Sequence, residues 1–378
     1  MRRAGCDESP DNGCVARETP DVRIVLDGTP LLGTRTGIGR YTARLSEALA
    51  ELPETRVRLL GLTARGWYAL RGAAPAGTRA IGPPLPARLL AACWSRSEFP
   101  PIEPLGGHGD VVHGTNFVQP AAARTPGVVT IHDLDFLDTS ANGASGDGRE
   151  RLVARSVRRA RVVCTPTSAV AERVVARFGI SARRTVVTPL GVDREWFEAR
   201  PPDPRVRRQY GLPASYLLFV GQDGPRKGLS TLLEALDPTL PPLVVAGPSG
   251  AGEEDSLPPE RVTRTGYLPD EELRGVVAGA AALVLPSRDE GFGLPVLEAM
   301  AAGVPVVCSD IAALREVTAG HAHLFPYGRA TALRAALRRA VESVGDHESR
   351  EAAREHAAGF TWQGCAEATM RAYRLARS

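Results

Sequence analysis

Lysine is almost absent from this chain. Of 46 basic residues a single one, Lys227, is lysine, and the rest are arginine. Where any positive charge serves, the sequence uses arginine. The exception therefore invites a chemical reason, such as phosphate oxygens met by a compact ammonium on a flexible stem. A chance survivor of compositional bias would look the same, so the neighbours must decide. Net charge is also small, +3, which argues against a nucleic-acid binder. No apolar run approaches the roughly 20 residues of a membrane span. Residues 1–20 lack the apolar centre of a signal peptide and read as a disordered leader. The six cysteines show no C-x-x-C spacing. Cys164 and Cys308 fall in apolar strand-like runs, which predicts buried free thiols and fits a reducing cytoplasm. A complete G-x-G-x-x-G is missing, so no dehydrogenase case arises.

What is present is a repeated alternation of short β-branched runs and amphipathic stretches. Strands are predicted at Arg23–Asp27, Val57–Leu60, Asp110–His113, Val128–His132, Val162–Thr165 and Thr185–Thr188. Helices are predicted at Ile38–Leu52, Arg149–Ala160 and Ser168–Phe178. The pattern restarts with strands at Tyr216–Gly221, Leu243–Gly247, Arg261–Gly266, Ala282–Pro286, Val304–Cys308 and His323–Phe325. Its helices are Gly228–Leu236, Asp270–Ala280, Leu294–Ala302, Ala312–Ala319 and Ala330–Ser343. Near-continuous apolar strands between helices predict parallel sheets covered on both faces, hence an α/β protein of two Rossmann-like doubly wound domains. The proline-rich 198–205 reads as a linker between domains at 21–197 and 206–360. Residues 361–378 read as a C-terminal helix that crosses the junction, with Trp362, Met370 and Tyr373 near one face. Asn142–Gly148 reads as a flexible loop with no catalytic sign.

Ligands of open parallel sheets sit beyond the carboxyl ends of the strands, and the unusual residues fall there. The sequence 289–298, DEGFGLPVLE, follows a strand and opens a helix. Gly291 and Gly293 admit close approach of a ligand to the backbone, and free amides at a helix start favour an anion. Glu290 and Glu298 suit hydroxyls of a sugar and of a ribose. An ordinary helix start with acidic residues on its dipole is the competing explanation. After the apolar strand at 216–220 comes Gly221-Gln-Asp-Gly-Pro-Arg226-Lys227-Gly228, where two adjacent cations suit a diphosphate. Gly37-Ile-Gly39 opens another helix after the first strand. His132 ends a strand, where it can bond or take a proton from a reacting hydroxyl, although a lone histidine is more often structural. His113 and Asn116 end another strand and are candidates to line the same cleft. Asp133 and Asp135 resemble a D-x-D metal pair. That reading is discounted, because the protein's own cations already serve the phosphates.

At these residues the chain resembles the retaining family-4 glycosyltransferases of the GT-B fold, over about Val22 to Phe360. Glu290 and Glu298 fill the E-x7-E pattern. Gly37-Ile-Gly-Arg-Tyr41, His132-Asp-Leu, Pro189-Leu-Gly-Val-Asp193 and Pro225-Arg-Lys227 resemble the branch with many mannosyltransferases. The resemblance implies two domains facing each other across a cleft and transfer of a hexose from a nucleotide diphosphate sugar to a hydroxyl, with retention and without a metal or other cofactor. GDP-mannose is favoured on branch resemblance alone. Glu298 would hold the ribose. Glu290 would contact the sugar beside the Phe292 and Gly293 amides. Arg226 and Lys227 would bind the diphosphate next to Gly221 and Gly291, and Gly37 would let the first domain close on it. His132 would contact sugar or acceptor, with Asp133 on the sugar side. Gln222 stands where some relatives have arginine, which leaves fewer cations on the phosphates. The acceptor stays open among a glycan, a lipid-linked molecule and a small molecule, and no nucleic-acid partner is expected. The chain is expected in the cytoplasm. Trp67-Tyr68 and Arg88–Trp94 are candidates for weak contact with the inner membrane face, a packed helix being the more common alternative. Epimerisation, phosphorolysis and a non-catalytic nucleotide-sugar sensor are the competing functions.

Overall fold

The computed structural model describes residues 21–33, 37–61, 63, 67–82, 86–106, 108–135, 146–222, 224, 226–248 and 261–378. The expected leader and most of the 142–148 loop lie outside them. The first half runs β1 Val22–Asp27, α1 Gly37–Glu51, β2 Thr55–Leu60, α2 Trp67–Ala73, β3 Arg79–Ile81, α3 Ala87–Trp94, β4 Val111–Gly114, β5 Gly127–Thr130, α4 Gly146–Arg159, β6 Val162–Thr165, α5 Ser168–Phe178 and β7 Thr185–Val187. The second half runs α6 Pro204–Gln209, β8 Leu217–Val220, α7 Leu229–Ala235, β9 Leu243–Ala246, β10 Val262–Gly266, α8 Asp270–Ala278, β11 Ala282–Leu285, α9 Leu294–Ala301, β12 Val306–Ser309, α10 Ala312–Thr318, β13 His323–Phe325, α11 Ala330–Glu342, α12 His347–Ala358 and α13 Trp362–Arg377.

The strands form two parallel sheets, ordered β3-β2-β1-β4-β5-β6-β7 and β10-β9-β8-β11-β12-β13. Their sequences explain why both faces are covered. Ile24, Val25 and Leu26 of β1 and Leu283, Val284 and Leu285 of β11 are successive residues with 0% exposure. A strand without polar alternation must bury both sides, which is what flanking helices provide. The order reverses between β1 and β4 in the first sheet and between β8 and β11 in the second. The loops carrying the candidate residues leave these strands and β5.

The chain passes between the sheets twice, side by side. Val192 N–H donates to the Phe360 carbonyl at 3.0 Å, and Trp362 Nε1 donates to Asp193 Oδ1 at 2.7 Å. Thr361 caps α13 by accepting from Gly364 N–H. The helix then packs on α1 and on β4 to β7 of the first sheet. One buried apolar cluster joins Leu26, Tyr41, Trp196, Met300 and Tyr373, so the core runs through both halves.

Some elements differ from the sequence reading. The strand expected at Val128–His132 ends at Thr130, and α6 starts inside the stretch read as linker. β3, α2 and α12 form where the sequence predicts no element. Cys164 and Cys308 are buried free thiols as expected. Leu90 and Trp94 point into the protein from α3, whereas Leu89 and Tyr68 are exposed. No helix among the described residues is long and apolar enough to cross a membrane.

Candidate active site

The loop after β8 and the loop after β11 are neighbours because their strands are neighbours. Lys227 Nζ lies 2.7 Å from Glu290 Oε1. Arg226 Nη1 donates to the Asp289 carbonyl at 3.1 Å and stands 3.7 Å from Glu290 Oε2. The sole lysine thus sits against the first carboxylate of the E-x7-E pair. Glu290 is 7% exposed, and burial by itself opposes its ionisation. Lys227 and Arg226 more than offset that and hold its carboxyl below the ordinary value.

Glu298 lies one turn into α9 and is 4% exposed. Burial pushes its carboxyl up, and the attraction of Arg40 offsets this only in part. The two glutamates of one motif therefore stand in opposite electrostatic settings. Gly293 precedes α9 with φ +87°, a left-handed conformation that favours glycine. Pro295 fits the first turn. Pro295 has no N–H and Val296 N–H donates to the Gly293 carbonyl at 2.9 Å, which leaves the Leu294 amide at this helix start as the candidate donor to an anion.

The first domain supplies the opposite wall. A Cβ on Gly291 would lie 1.6 Å from the His132 carbonyl oxygen, so glycine is what allows the two backbones to meet. Thr167 Oγ1 donates to the Gly291 carbonyl at 3.0 Å. His132 is 9% exposed, and its Nε2 donates to the Thr115 carbonyl at 2.8 Å, which leaves Nδ1 as the acceptor. Burial lowers its pKa to about 4. At neutral pH it is an uncharged hydrogen-bonding group, packed edge-on against Tyr41 and Phe117.

Asp133 and Asp135 both face Arg226, at 3.9 Å and 3.5 Å, and Asp135 also pairs with Arg288 at 3.1 Å. Burial pushes the Asp133 carboxyl up despite Arg226. Gly37 is the first residue of α1, across the cleft from α9. Gly221 follows β8 beside the Lys227 stem, and Phe292 is buried against Phe360.

Not every candidate reaches the cleft. His113 is 0% exposed, with both ring nitrogens engaged, Nδ1 by the Tyr373 hydroxyl at 2.7 Å and Nε2 by Thr130 Oγ1 at 2.8 Å. Burial lowers its pKa to about 3. It ties α13 to the first sheet beneath the cleft and does not line it. Asn116 is half-buried in the loop after β4.

Three side chains without an assigned role also bridge the domains. Arg40 of α1 bonds Glu298. Glu316 of α10 accepts from Ser168 and Ala169 N–H at 2.7 and 3.1 Å. Arg173 of α5 pairs with Asp289 at 2.6 Å. The sequence offers no signal for the two arginines, which are two among many. Beside Glu290 lies a cavity of about 310 Å³, lined by the start of α5, Arg288, Asp289 and the start of α10.

This arrangement has relatives. Residues 35–196 match Glycosyltransferase Family 4, and residues 214–343 match Glycosyl transferases group 1. O-antigen chain mannosyltransferase B of Escherichia coli is 31% identical over 288 residues, covering 70% of this chain and 74% of that protein. Among solved structures, sucrose-phosphate synthase from Thermosynechococcus elongatus aligns with TM-score 0.70 at 21% identity, over 93% of this chain and 98% of that one. Anabaena Alr3699/HepE in complex with UDP-glucose aligns with TM-score 0.67 at 17% identity and the same coverage. The two sheets, the cleft between them and these matches along both halves lead to one conclusion: the chain belongs to the family-4 glycosyltransferases and has their GT-B fold.

Proposed function

We propose that this glycosyltransferase moves a hexose from a nucleotide diphosphate sugar to a hydroxyl acceptor, with retention of anomeric configuration and without a metal. The observation that carries the reading is the pairing of Lys227 and Arg226 with Glu290 at the switch point of the second sheet, one loop from the α9 N-terminus. The diphosphate is assigned to Arg226, Lys227 and the Leu294 amide at the start of α9, the ribose to Glu298, and the sugar to the space between Glu290 and His132. Cations and amides fixed before reaction stabilise charge as it develops on the leaving group. Arg226 stands between the carboxylates of Asp133 and Asp135, where a metal-binding pair would need a cation of its own.

Retention follows a front-face path in this reading. Glu290 is committed to two cations, so it serves as an anchor and not as a nucleophile. The bond from the anomeric carbon to the phosphate oxygen breaks, and its electron pair leaves with the diphosphate. The acceptor oxygen bonds to the same face, and its proton passes to the departing phosphate oxygen. His132, neutral and with Nδ1 open as an acceptor, orients a sugar or acceptor hydroxyl. The mannosyltransferase relative supports mannose as the sugar and GDP-mannose as the donor, while UDP-glucose in the HepE complex marks the alternative nucleotide.

The test is a panel of nucleotide sugars including GDP-mannose and UDP-glucose, scored by thermal shift and slow hydrolysis, with and without a strong chelator. Stabilisation and turnover by one donor, unchanged on chelation, with the α-anomer as first product, is the expected result. A β-product from an α-donor would overturn retention. Turnover lost on chelation and restored by magnesium or manganese would reinstate the metal role of Asp133 and Asp135. Binding without any hydrolysis or transfer would leave a sensor.

A further inference from the structure

Arg40 is the fourth residue of α1 and reaches from the first domain to two helices of the second. Its Nη1 bonds Glu298 Oε1 on α9, and its Nη2 lies 3.6 Å from Asp270 Oδ1 at the start of α8. Its side chain is 24% exposed and that of Glu298 5%. A planar fork can address two carboxylates in this way, whereas an ammonium is a single point of charge. The other charges near Glu298 do not replace it. Asp193 and Asp270 both repel it. Arg44 is committed to Asp193 and Glu47 at 3.0 Å each. Arg350 and Arg354 of α12 bond the carbonyls of Gly303 and Ala301, at the opposite end of α9. On α10, Arg315 is paired with Asp310 and Glu316 with the start of α5. Arg194, before α6, is paired with Glu198.

We propose that Arg40 is a positioning residue for the donor, which holds the Glu298 carboxylate across the cleft as a charged, oriented acceptor of ribose hydroxyls and so links ribose recognition to domain closure. The inference rests on the assignment of the ribose to Glu298. A carboxylate offers about four lone-pair sites, so Arg40 on one oxygen leaves acceptors for a ribose. Without Arg40 the carboxylate is buried among Asp193 and Asp270, and all three influences push its pKa up. A protonated Glu298 has lost one acceptor oxygen to a hydroxyl, so the ribose contacts should weaken as pH falls.

The experiment measures binding of UDP against 2′-deoxy-UDP, and of GDP against 2′-deoxy-GDP, by calorimetry between pH 6 and 8, on the full chain. Native protein should prefer the ribonucleotide of the matching base by about tenfold at every pH, the worth of a charge-assisted bond. Arg40→Ala should lose that preference at pH 6 and regain part of it at pH 8. Arg40→Lys, which keeps the charge, should stay flat with pH and also shows that the position tolerates change. Glu298→Gln should lose the preference at all pH values. If Arg40→Ala keeps a flat, full preference while Glu298→Gln loses it, the role of Arg40 is overturned and the ribose assignment stands. If Glu298→Gln keeps the preference, the ribose assignment falls and takes the role of Arg40 with it.

Discussion

Lys227 and Glu290 are a largely buried ion pair, 19% and 9% exposed at their side chains, and each is needed by the other. Removing one partner of such a pair leaves an uncompensated charge out of water, which costs more than the pair gains. Lys227→Ala should therefore lose about ten- to hundred-fold in kcat, with a new fall in activity at low pH, because burial opposes ionisation of Glu290 and Arg226 is then the cation left to offset it. Lys227→Arg should also lose most transfer, since a planar fork cannot occupy the same space between Glu290 and a diphosphate. Full activity in Lys227→Arg, measured at saturating donor, would show that the position needs only charge. The two glutamates should fail differently. Glu290→Gln changes the group that the proposed mechanism assigns to the reacting sugar and should lower kcat more than it raises donor KM. Glu298→Gln changes the group assigned to the ribose, a part of the donor that does not react, and should mainly raise donor KM. A donor titration of both purified variants separates these patterns, and the reverse result would exchange their assignments. His132 and His113 give a further expectation. Both are neutral when folded, with pKa values of about 4 and about 3. In the unfolded chain they titrate near 6.5, so below that pH the unfolded state binds more protons and stability is lost progressively as pH falls toward 4. Melting temperatures from pH 7 to 4.5 should show this decline, and His132→Gln should make it shallower, with His113 supplying the remainder.

Short elements join the two domains, and their sequence explains how. Gly291 lets the loop before α9 touch the His132 carbonyl, and Glu316 supplies α5 with a cap from the other domain in addition to its own Thr167. Gly291→Ala should force the backbones apart and abolish transfer while each sheet stays folded, readable as lost turnover with unchanged circular dichroism. Glu316→Ala should cost about 1 kcal/mol of stability, the usual worth of a helix cap, in chemical denaturation. The sequence exposed the elements in proportion to how apolar they are. β6, β8 and β11 are near-continuous apolar runs, as is Ile24–Leu26 within β1, and each reads directly as a strand. β3 was not, since Arg79, Ala80 and Ile81 form an edge strand with no buried residue. Helix α12 was hidden because only Ala353 and Ala357 of its twelve residues are buried, under a run of charges. The candidate site was legible where composition made a residue rare. Lys227 stood out because it has no equal, while Arg40 made no signal among the other arginines although it grips the second glutamate. His113 misled because a histidine at a strand end reads the same whether it faces a ligand or, as here, a tyrosine from a helix about 260 residues away.

At the scale of the whole molecule, the first domain is built from two distant parts of the chain. Residues 21–197 provide its sheet, and α13 provides a wall of its core, with Tyr373 at 0% exposure and bonded to His113. A fragment of residues 21–197 should therefore be insoluble or molten by itself, and joining residues 361–378 to it through a flexible linker should restore a cooperative melt. Equal stability of the two fragments would show that α13 only decorates the surface. The same arrangement fixes an order of events during synthesis. About 175 residues separate β7 from α13, including the entire second sheet. At about 5–20 residues per second, the ribosome takes roughly 10–35 s to cross that distance. For that interval the earlier-made domain has its sheet but lacks one wall, while the later-made domain can already form a buried cluster of its own between Leu217 and Ala340. The half of the enzyme that is translated first is thus the half that finishes folding last, and chains truncated anywhere before α13 leave its apolar face open to chaperones and proteases.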